Sequence, residues 1–260
     1  MYRLATWNVN GLRACAQKGF LDWANSGVQI IMLQETKATR EQLPHGVLEL
    51  ENDFHCHYSS SQEKKGYSGV ALYSHKKLPM PEITVGLGIA KFDQEGRTLI
   101  AEYPDFIAIG AYFPNGGREL ERVPFKLEFS RAIARTAMVL MKKKKKPVVI
   151  GGDYNTANRE IDLANAQANV GNTGFLPIER AWLDEFIGQG FLDLYRQKYP
   201  DKKDIYSWWT YRNNCRERNI GWRLDYFFAP KEVLPHIKKI YYQPEIMGSD
   251  HCPLILELDF

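Results

Sequence analysis

The stretch PVVIGGDYN, residues 147–155, sets a run of apolar residues directly against two glycines, a carboxylate and an amide. Val148, Val149 and Ile150 suit a strand buried on both faces. Residues two apart on a strand point the same way, so Asp153 and Asn155 are expected to converge on one spot. Gly151 and Gly152 lack a Cβ and would let another chain or a ligand come close. A dry strand that ends in such groups reads as one wall of a site.

The pattern recurs. Apolar runs end in polar residues at LATWNVNG (4–11), VQIIMLQET (28–36), FIAIGAYFPNGG (106–117), VVIGGDYN (148–155), RLDYFFAP (223–230) and GSDHCPLILEL (248–258). Helical patterns lie between some of them. Phe125, Phe129, Ile133, Ala137 and Leu140 form one apolar stripe. Pro177 to Gly188 carries proline at its start and Trp182, Leu183, Phe186 and Ile187 on one side. Gly27 is expected to end a short helix holding Leu21, Trp23 and Ala24. Strands and helices interleave without a low-complexity linker or a short repeat, which predicts one layered α/β domain over residues 1–260. The lysines Lys142 to Lys146 are read as a solvated helix C-terminus, where cations complement the macrodipole. FHCHY (54–58) is read as an edge strand, with His55 and His57 on one face and Cys56 on the other, too divergent to share a metal.

Composition narrows the class. The 260 residues are 44% hydrophobic, enough for a sizeable core and against disorder. The net charge of +3, from 34 basic and 31 acidic side chains, is too small to identify a nucleic-acid partner, although a basic face can be hidden within it. Four scattered cysteines without C-x-x-C spacing suggest a reducing, intracellular setting. No signal-peptide pattern precedes MYRLATWNVN, and no run approaches the ~20 apolar residues of a membrane span. A soluble protein with no membrane partner is expected. No Walker A loop or nucleotide-binding glycine fingerprint is present.

The strand ends offer Asn8, Asn10, Glu35, Tyr112, Asn115, Asp153, Asn155, Asp225, Asp250 and His251. Singly, each is an ordinary turn or strand-end residue. Gathered on one rim, they would make an oxygen-rich site suited to Mg²⁺, with Mn²⁺ as a substitute, rather than to zinc.

TWNVNGLRA, LQETK, KKGYSGVALYS, AYFPNGGR, GGDYNTA, NTGFLPIER, WWTYR, GWRLDYF and GSDHCP run in order from residue 6 to residue 253. Together they resemble the motifs of the exonuclease III family of abasic-site endonucleases, and GWRLDYF with GSDHCP is most similar to the animal-type enzymes. The resemblance implies a four-layered α/β sandwich of the endonuclease/exonuclease/phosphatase-like kind, two packed sheets flanked by helices. It also implies a Mg²⁺-dependent monomer that cuts duplex DNA on the 5′ side of abasic sites and leaves a 3′-hydroxyl. Lesser 3′→5′ exonuclease and 3′-end-cleaning activities are expected beside it.

Residue roles follow from the same resemblance. Asp153 would orient and deprotonate water, while Asn155 holds that water or a phosphate oxygen. His251, oriented by Asp225, would donate to the phosphate, and Tyr112 with Asn115 would support the phosphate or leaving oxygen. Glu35 leads the metal ligands, with Asp250, Asn8 and Asn10 around it; Asp153, Asn155 and His251 could hold a second metal position. Trp208, Trp222 and Leu224 would form an apolar pocket for a base-free sugar. Arg118 and Arg212 match positions that insert into or span the duplex, although methionine is usual at the second. Arg13, Lys37, Tyr67, Asn169 and Asn172 are further DNA contacts. Asn10 stands where the animal type has aspartate, so weaker Mg²⁺ binding is expected. Two other classes share parts of this pattern. A lipid or inositol phosphate phosphoesterase would have no use for the sugar pocket, and a non-catalytic DNA-end binder would leave a catalytic position vacant.

Overall fold

The computed structural model describes residues 1–260 and contains twelve strands. They are β1 (Tyr2–Asn8), β2 (Ile30–Gln34), β3 (Phe54–Ser59), β4 (Val70–His75), β5 (Glu82–Val85), β6 (Thr98–Glu102), β7 (Ile107–Tyr112), β8 (Val148–Asp153), β9 (Phe191–Asp193), β10 (Asp225–Pro230), β11 (Ile237–Tyr242) and β12 (Leu254–Leu258). Two six-stranded sheets result, ordered β11-β12-β1-β2-β4-β3 and β5-β6-β7-β8-β10-β9. Each sheet has one parallel pair, β1 with β2 and β7 with β8, and its other neighbours are antiparallel. The parallel strands β2, β7 and β8 are buried along their whole length, as their unbroken apolar character requires.

The sheets pack face to face through Leu4, Met32 and Leu256 from one and Val149, Phe227 and Ala229 from the other. The helix Val123–Lys144 and the helix Pro177–Gly188 cover the outer face of the second sheet with Phe129, Ile133, Trp182 and Phe186. Leu12, Phe20, Trp23 and Val47 cover the outer face of the first. The fold is therefore a four-layered α/β sandwich. No helix is long and apolar enough to cross a membrane.

Several expectations shift in detail. The strand expected over 148–155 stops at Asp153, and Asn155 is left-handed at φ 49°. The strand expected over 4–11 stops at Asn8, with Asn10 at φ 45°. Asp250 and His251 precede β12 instead of lying on it. The short helix ends at Ala24, and Gly27, at φ 92°, belongs to the bend beyond. The two glycines of β8 make room for protein. A Cβ on Gly151 would lie 2.6 Å from the Phe227 ring, and one on Gly152 would lie 2.0 Å from the Ala111 carbonyl oxygen. FHCHY does form an edge strand, β3, paired only with β4. The lysine run closes the long helix, and Lys144 and Lys146 both pair with Glu102.

A buried ionic chain braces the loops that precede β10. Asp162 accepts from Arg223 Nε at 2.9 Å and from Arg196 Nη2 at 2.6 Å, while Arg223 Nη2 reaches Asp193 at 2.6 Å. Burial alone would raise the Asp162 pKa, but Arg223 and then Arg196 outweigh it and bring it from 3.8 to about 2. A depressed folded-state pKa stabilises the fold above the unfolded value. That contribution, roughly 2 kcal/mol, is lost as pH falls from about 4 to about 2. Asp162→Asn should cost about 3–5 kcal/mol at neutral pH, because two buried guanidinium groups lose their shared partner. It should also flatten the acid limb of stability. Denaturant unfolding across that pH range checks both; an unchanged acid limb would mean that Asp162 is not the titrating group.

Candidate active site

The C-terminal ends of β1, β2, β7 and β8 meet at one end of the sandwich, where ligand sites of open α/β sheets form. In register, Asp153 lies opposite both Tyr112 and Asp225, and Asn8 lies opposite Gln34. Asn8 and Asp153 each begin the same turn. The Asn8 side-chain oxygen accepts the Asn10 backbone N–H at 2.9 Å, and Asp153 Oδ1 accepts the Asn155 backbone N–H at 2.8 Å. Such turns suit Asn and Asp, which tolerate the left-handed backbone that follows. Convergence of the paired polar residues thus comes from these turns, not from strand alternation.

Asn8 joins the two sheets. Its amide nitrogen donates to Glu35 and to Asp153 Oδ2, each at 2.8 Å. His251 Nδ1 contacts Asp225 Oδ2 at 2.8 Å, and its Nε2 faces Asp153 Oδ2 at 3.8 Å. Asn155 donates to the Phe113 carbonyl at 2.9 Å and accepts from Asn115 at 3.2 Å. Burial raises the Asp153 pKa above the carboxylate range, although His251 opposes that shift. Burial would suppress charge on His251, but Asp225 and then Asp153 outweigh it and hold the imidazole protonated well above its ordinary range. Tyr112 is raised well above 10, first by burial and then by Glu35 and Asp153.

A second cluster lies beside the first. Asp250 accepts from the Asn10 amide at 2.8 Å and from Trp208 Nε1 at 3.1 Å. Lys37 Nζ pairs with Glu35 Oε2 at 2.7 Å and also donates to the Asn10 side-chain oxygen. This ammonium places one positive charge on two oxygens expected to bind a cation. The donors are all oxygens, which fits a hard divalent ion. Glu35 is lowered in pKa because Lys37 and Asn8 outweigh its burial. The ligand atoms of Asp153, Asp225 and His251 also lie within 4.8 Å of one another, a spacing that can hold a metal.

Both clusters open into a cleft of about 520 Å³ whose apolar side is Trp208, Trp222 and Leu224. The two indoles meet edge-to-face at 6.3 Å. Asn172, Thr173 and Gly174 supply a further wall. Asn169 does not line the cleft; its amide closes on the Asn165 carbonyl and its oxygen accepts from Asn172. Arg13, Arg118 and Arg212 are exposed on the chain segments that follow Asn10, Asn115 and Trp208. Tyr67 accepts from Arg97 Nη2 at 2.8 Å, and Arg97 lies 4.7 Å from the Tyr112 ring centroid.

Sequence reading passed over three contributors. Ser249 Oγ donates to the Asn8 carbonyl at 2.7 Å and accepts the His251 backbone N–H at 3.2 Å; its signal was its place inside GSDHCP. Ser207 Oγ accepts the N–H groups of Leu224 and Asp225, which no motif marks. Arg97, buried beneath the Tyr112 ring, lies in no motif that the sequence offered.

The chain is similar to known proteins over nearly its whole length. The model of the Endonuclease/Exonuclease/phosphatase family matches residues 5–251. The chain is 39% identical over 257 residues to the DNA repair nuclease APEX1 of Danio rerio, covering 98% of this chain and 82% of that protein. It is 40% identical over 257 residues to the exodeoxyribonuclease of Bacillus subtilis, covering 98% of each. The crystal structure of the AP endonuclease LMAP from Leishmania major superposes with a TM-score of 0.90 at 27% identity, covering 100% of this chain and 88% of that one. With the family match enclosing every strand end that builds the cleft, the chain belongs to the endonuclease/exonuclease/phosphatase family.

Proposed function

We propose that the protein is a DNA-repair nuclease that hydrolyses the phosphodiester 5′ to an abasic site in duplex DNA, leaving a 3′-hydroxyl. Lesser 3′→5′ exonuclease and 3′-end-cleaning activity would use the same site. One observation carries this reading: the Asp153–His251–Asp225 chain, an all-oxygen cation cluster and an apolar tryptophan wall open into a single cleft. Its relatives bear the names of DNA repair nuclease, exodeoxyribonuclease and AP endonuclease, which supports it further.

Asp153, whose burial strengthens its affinity for a proton, takes the proton of the attacking water. Asn155 orients that water or a phosphate oxygen, since an amide both donates and accepts. His251 is held as an imidazolium by Asp225, and its Nε2–H has no hydrogen-bond partner closer than the 3.8 Å to Asp153. It donates to the phosphate as negative charge builds there. Tyr112 and Asn115 support the same phosphate and the leaving oxygen. Glu35, Asn10 and Asp250 would hold Mg²⁺ or Mn²⁺, with Asn8 beside them; a second position on Asp153, Asn155 and His251 would require His251 to give up its Nε2 proton, and so is an alternative to its imidazolium role. Bound there, such an ion would supply electrostatic stabilisation of the phosphate and the leaving oxygen.

An abasic nucleotide lacks stacking and pairing, so turning it out costs less than for an intact one. Trp208, Trp222 and Leu224 then receive the bare sugar on the apolar side of the cleft. Arg13, Lys37, Tyr67 and Asn172 contact the backbone of the duplex, Lys37 after leaving Glu35 and Asn10, with Asn169 acting through Asn172, while Arg118 and Arg212 insert into or span the duplex. The protein acts as a monomer inside the cell, where its substrate lies.

A duplex oligonucleotide with one abasic analogue should be cut 5′ to the lesion with Mg²⁺ and left intact with chelator. Asp153→Asn should slow incision by about 10²–10⁴-fold through loss of the base. Undiminished cutting by that variant would refute its role. Asn10→Asp should lower the Mg²⁺ concentration for half-saturation, read by calorimetry, by about 3- to 10-fold because it adds a charged ligand. An unchanged titration would remove Asn10 from the cation site. Phosphate contacts also predict salt-sensitive affinity, so duplex binding that holds steady from about 50 to 200 mM salt would contradict them.

A further inference from the structure

NTGFLPIER lends Asn172, Thr173 and Gly174 to the cleft, yet its Glu179 lies behind the wall with a side chain 0% exposed. Glu179 Oε1 accepts from Lys126 Nζ at 2.6 Å and from Thr173 Oγ1 at 3.1 Å. Its Oε2 accepts the backbone N–H groups of Gly174 at 2.6 Å and Leu176 at 3.2 Å. Lys126 comes from the long helix, is 3% exposed, and donates onward to the Asn155 carbonyl at 2.7 Å. One buried ion pair therefore ties the left-handed Asn155 turn to the loop that walls the cleft.

Stability alone gives little reason for this pair. Removing two charges from water is costly, and well-packed apolar replacements of buried pairs are often neutral or stabilising. The connection is what the pair provides. A Cβ on Gly174 would lie 3.0 Å from the Asn155 carbonyl oxygen and 3.2 Å from the Trp222 ring. The wall, the Asn155 turn and the pocket tryptophan are thus in contact, and a shift in one moves the others. Gly116 N–H also donates to Thr173 Oγ1 at 3.1 Å, which brings the Asn115 loop into the same frame.

We infer that Lys126 and Glu179 are positioning residues for the reaction, acting through Asn155 and the 172–176 wall without touching substrate. This rests on the incision reading above and extends it to groups outside the cleft. Lys126→Met removes the tie to Asn155 but leaves the loop bonded to Glu179. Its kcat on abasic duplex, per active molecule, should fall by about 10- to 100-fold with KM within about threefold, as expected for sub-ångström misplacement of a reacting group. Lys126→Arg should restore most of the rate. Lys126→Met/Glu179→Gln cancels the unpaired charge and should recover the melting temperature while kcat stays low.

A merely structural pair would return kcat together with melting temperature in the double variant, and that result would overturn the inference. A readout independent of DNA keeps the two readings apart. In the free protein, the Asn155 side-chain amide resonances should shift in Lys126→Met and return in Lys126→Arg. Unchanged resonances would overturn the inference even if the wild type cuts abasic DNA. A wild type that fails to cut, with shifted resonances, would instead remove the proposed reaction and leave the tie standing.

Discussion

Asp153 carries its carboxylate between two packed sheets at 1% exposure, and much of the molecule serves to keep it there. An isolated charge in such a place is costly, so its oxygens must be engaged. One oxygen takes the Asn155 N–H, and the other takes the Asn8 amide with the His251 ring beyond it. Those partners come from the end of β1 in one sheet, the turn after β8 in the other, and the loop before β12. The partners can meet only if both sheets stack with their parallel pairs ending at the same level. Fold and site are held by one constraint.

The same constraint separates the chemistry of neighbouring oxygens. Asp153 faces His251 and is raised in pKa by burial, whereas Glu35, also joined to Asn8, lies near the Lys37 ammonium and is lowered. Two carboxylates on one amide are thus pushed in opposite directions, one toward accepting a proton and one toward staying ionised for a cation. The aromatic wall completes the cleft because Trp222 and Leu224 flank Arg223, whose side chain turns inward to Asp162 and Asp193. A buried ionic strut on one side of a short segment therefore fixes two apolar side chains on the other.

Much of this was legible in the sequence, and what was not has physical reasons. The central strands β7, β8 and β10 are apolar apart from Asp153 and Asp225 at their ends, because both faces are covered, so their runs stand out. Edge and peripheral elements do not. The exposed Lys238 and Lys239 of β11 and the three residues of β9 carry too little pattern to read. Polar groups at strand ends were visible because each interrupts an apolar run. Asp153 and Asn155 do lie together, but not by the strand alternation expected for them, since the strand ends at Asp153 and the turn after it brings Asn155 round. Lys126 and Glu179 were invisible because a lysine on an amphipathic helix and a glutamate in a helix's first turn ordinarily meet water.

The most direct test is a crystal structure of the Asp153→Asn protein with a duplex bearing an abasic analogue and Mg²⁺. The expected density places the scissile phosphate against Asn155 and His251, the bare sugar against Trp222 and Leu224, and the ion on Glu35. DNA lying across another face, or an intact base seated against the tryptophans, would contradict the reading of this cleft.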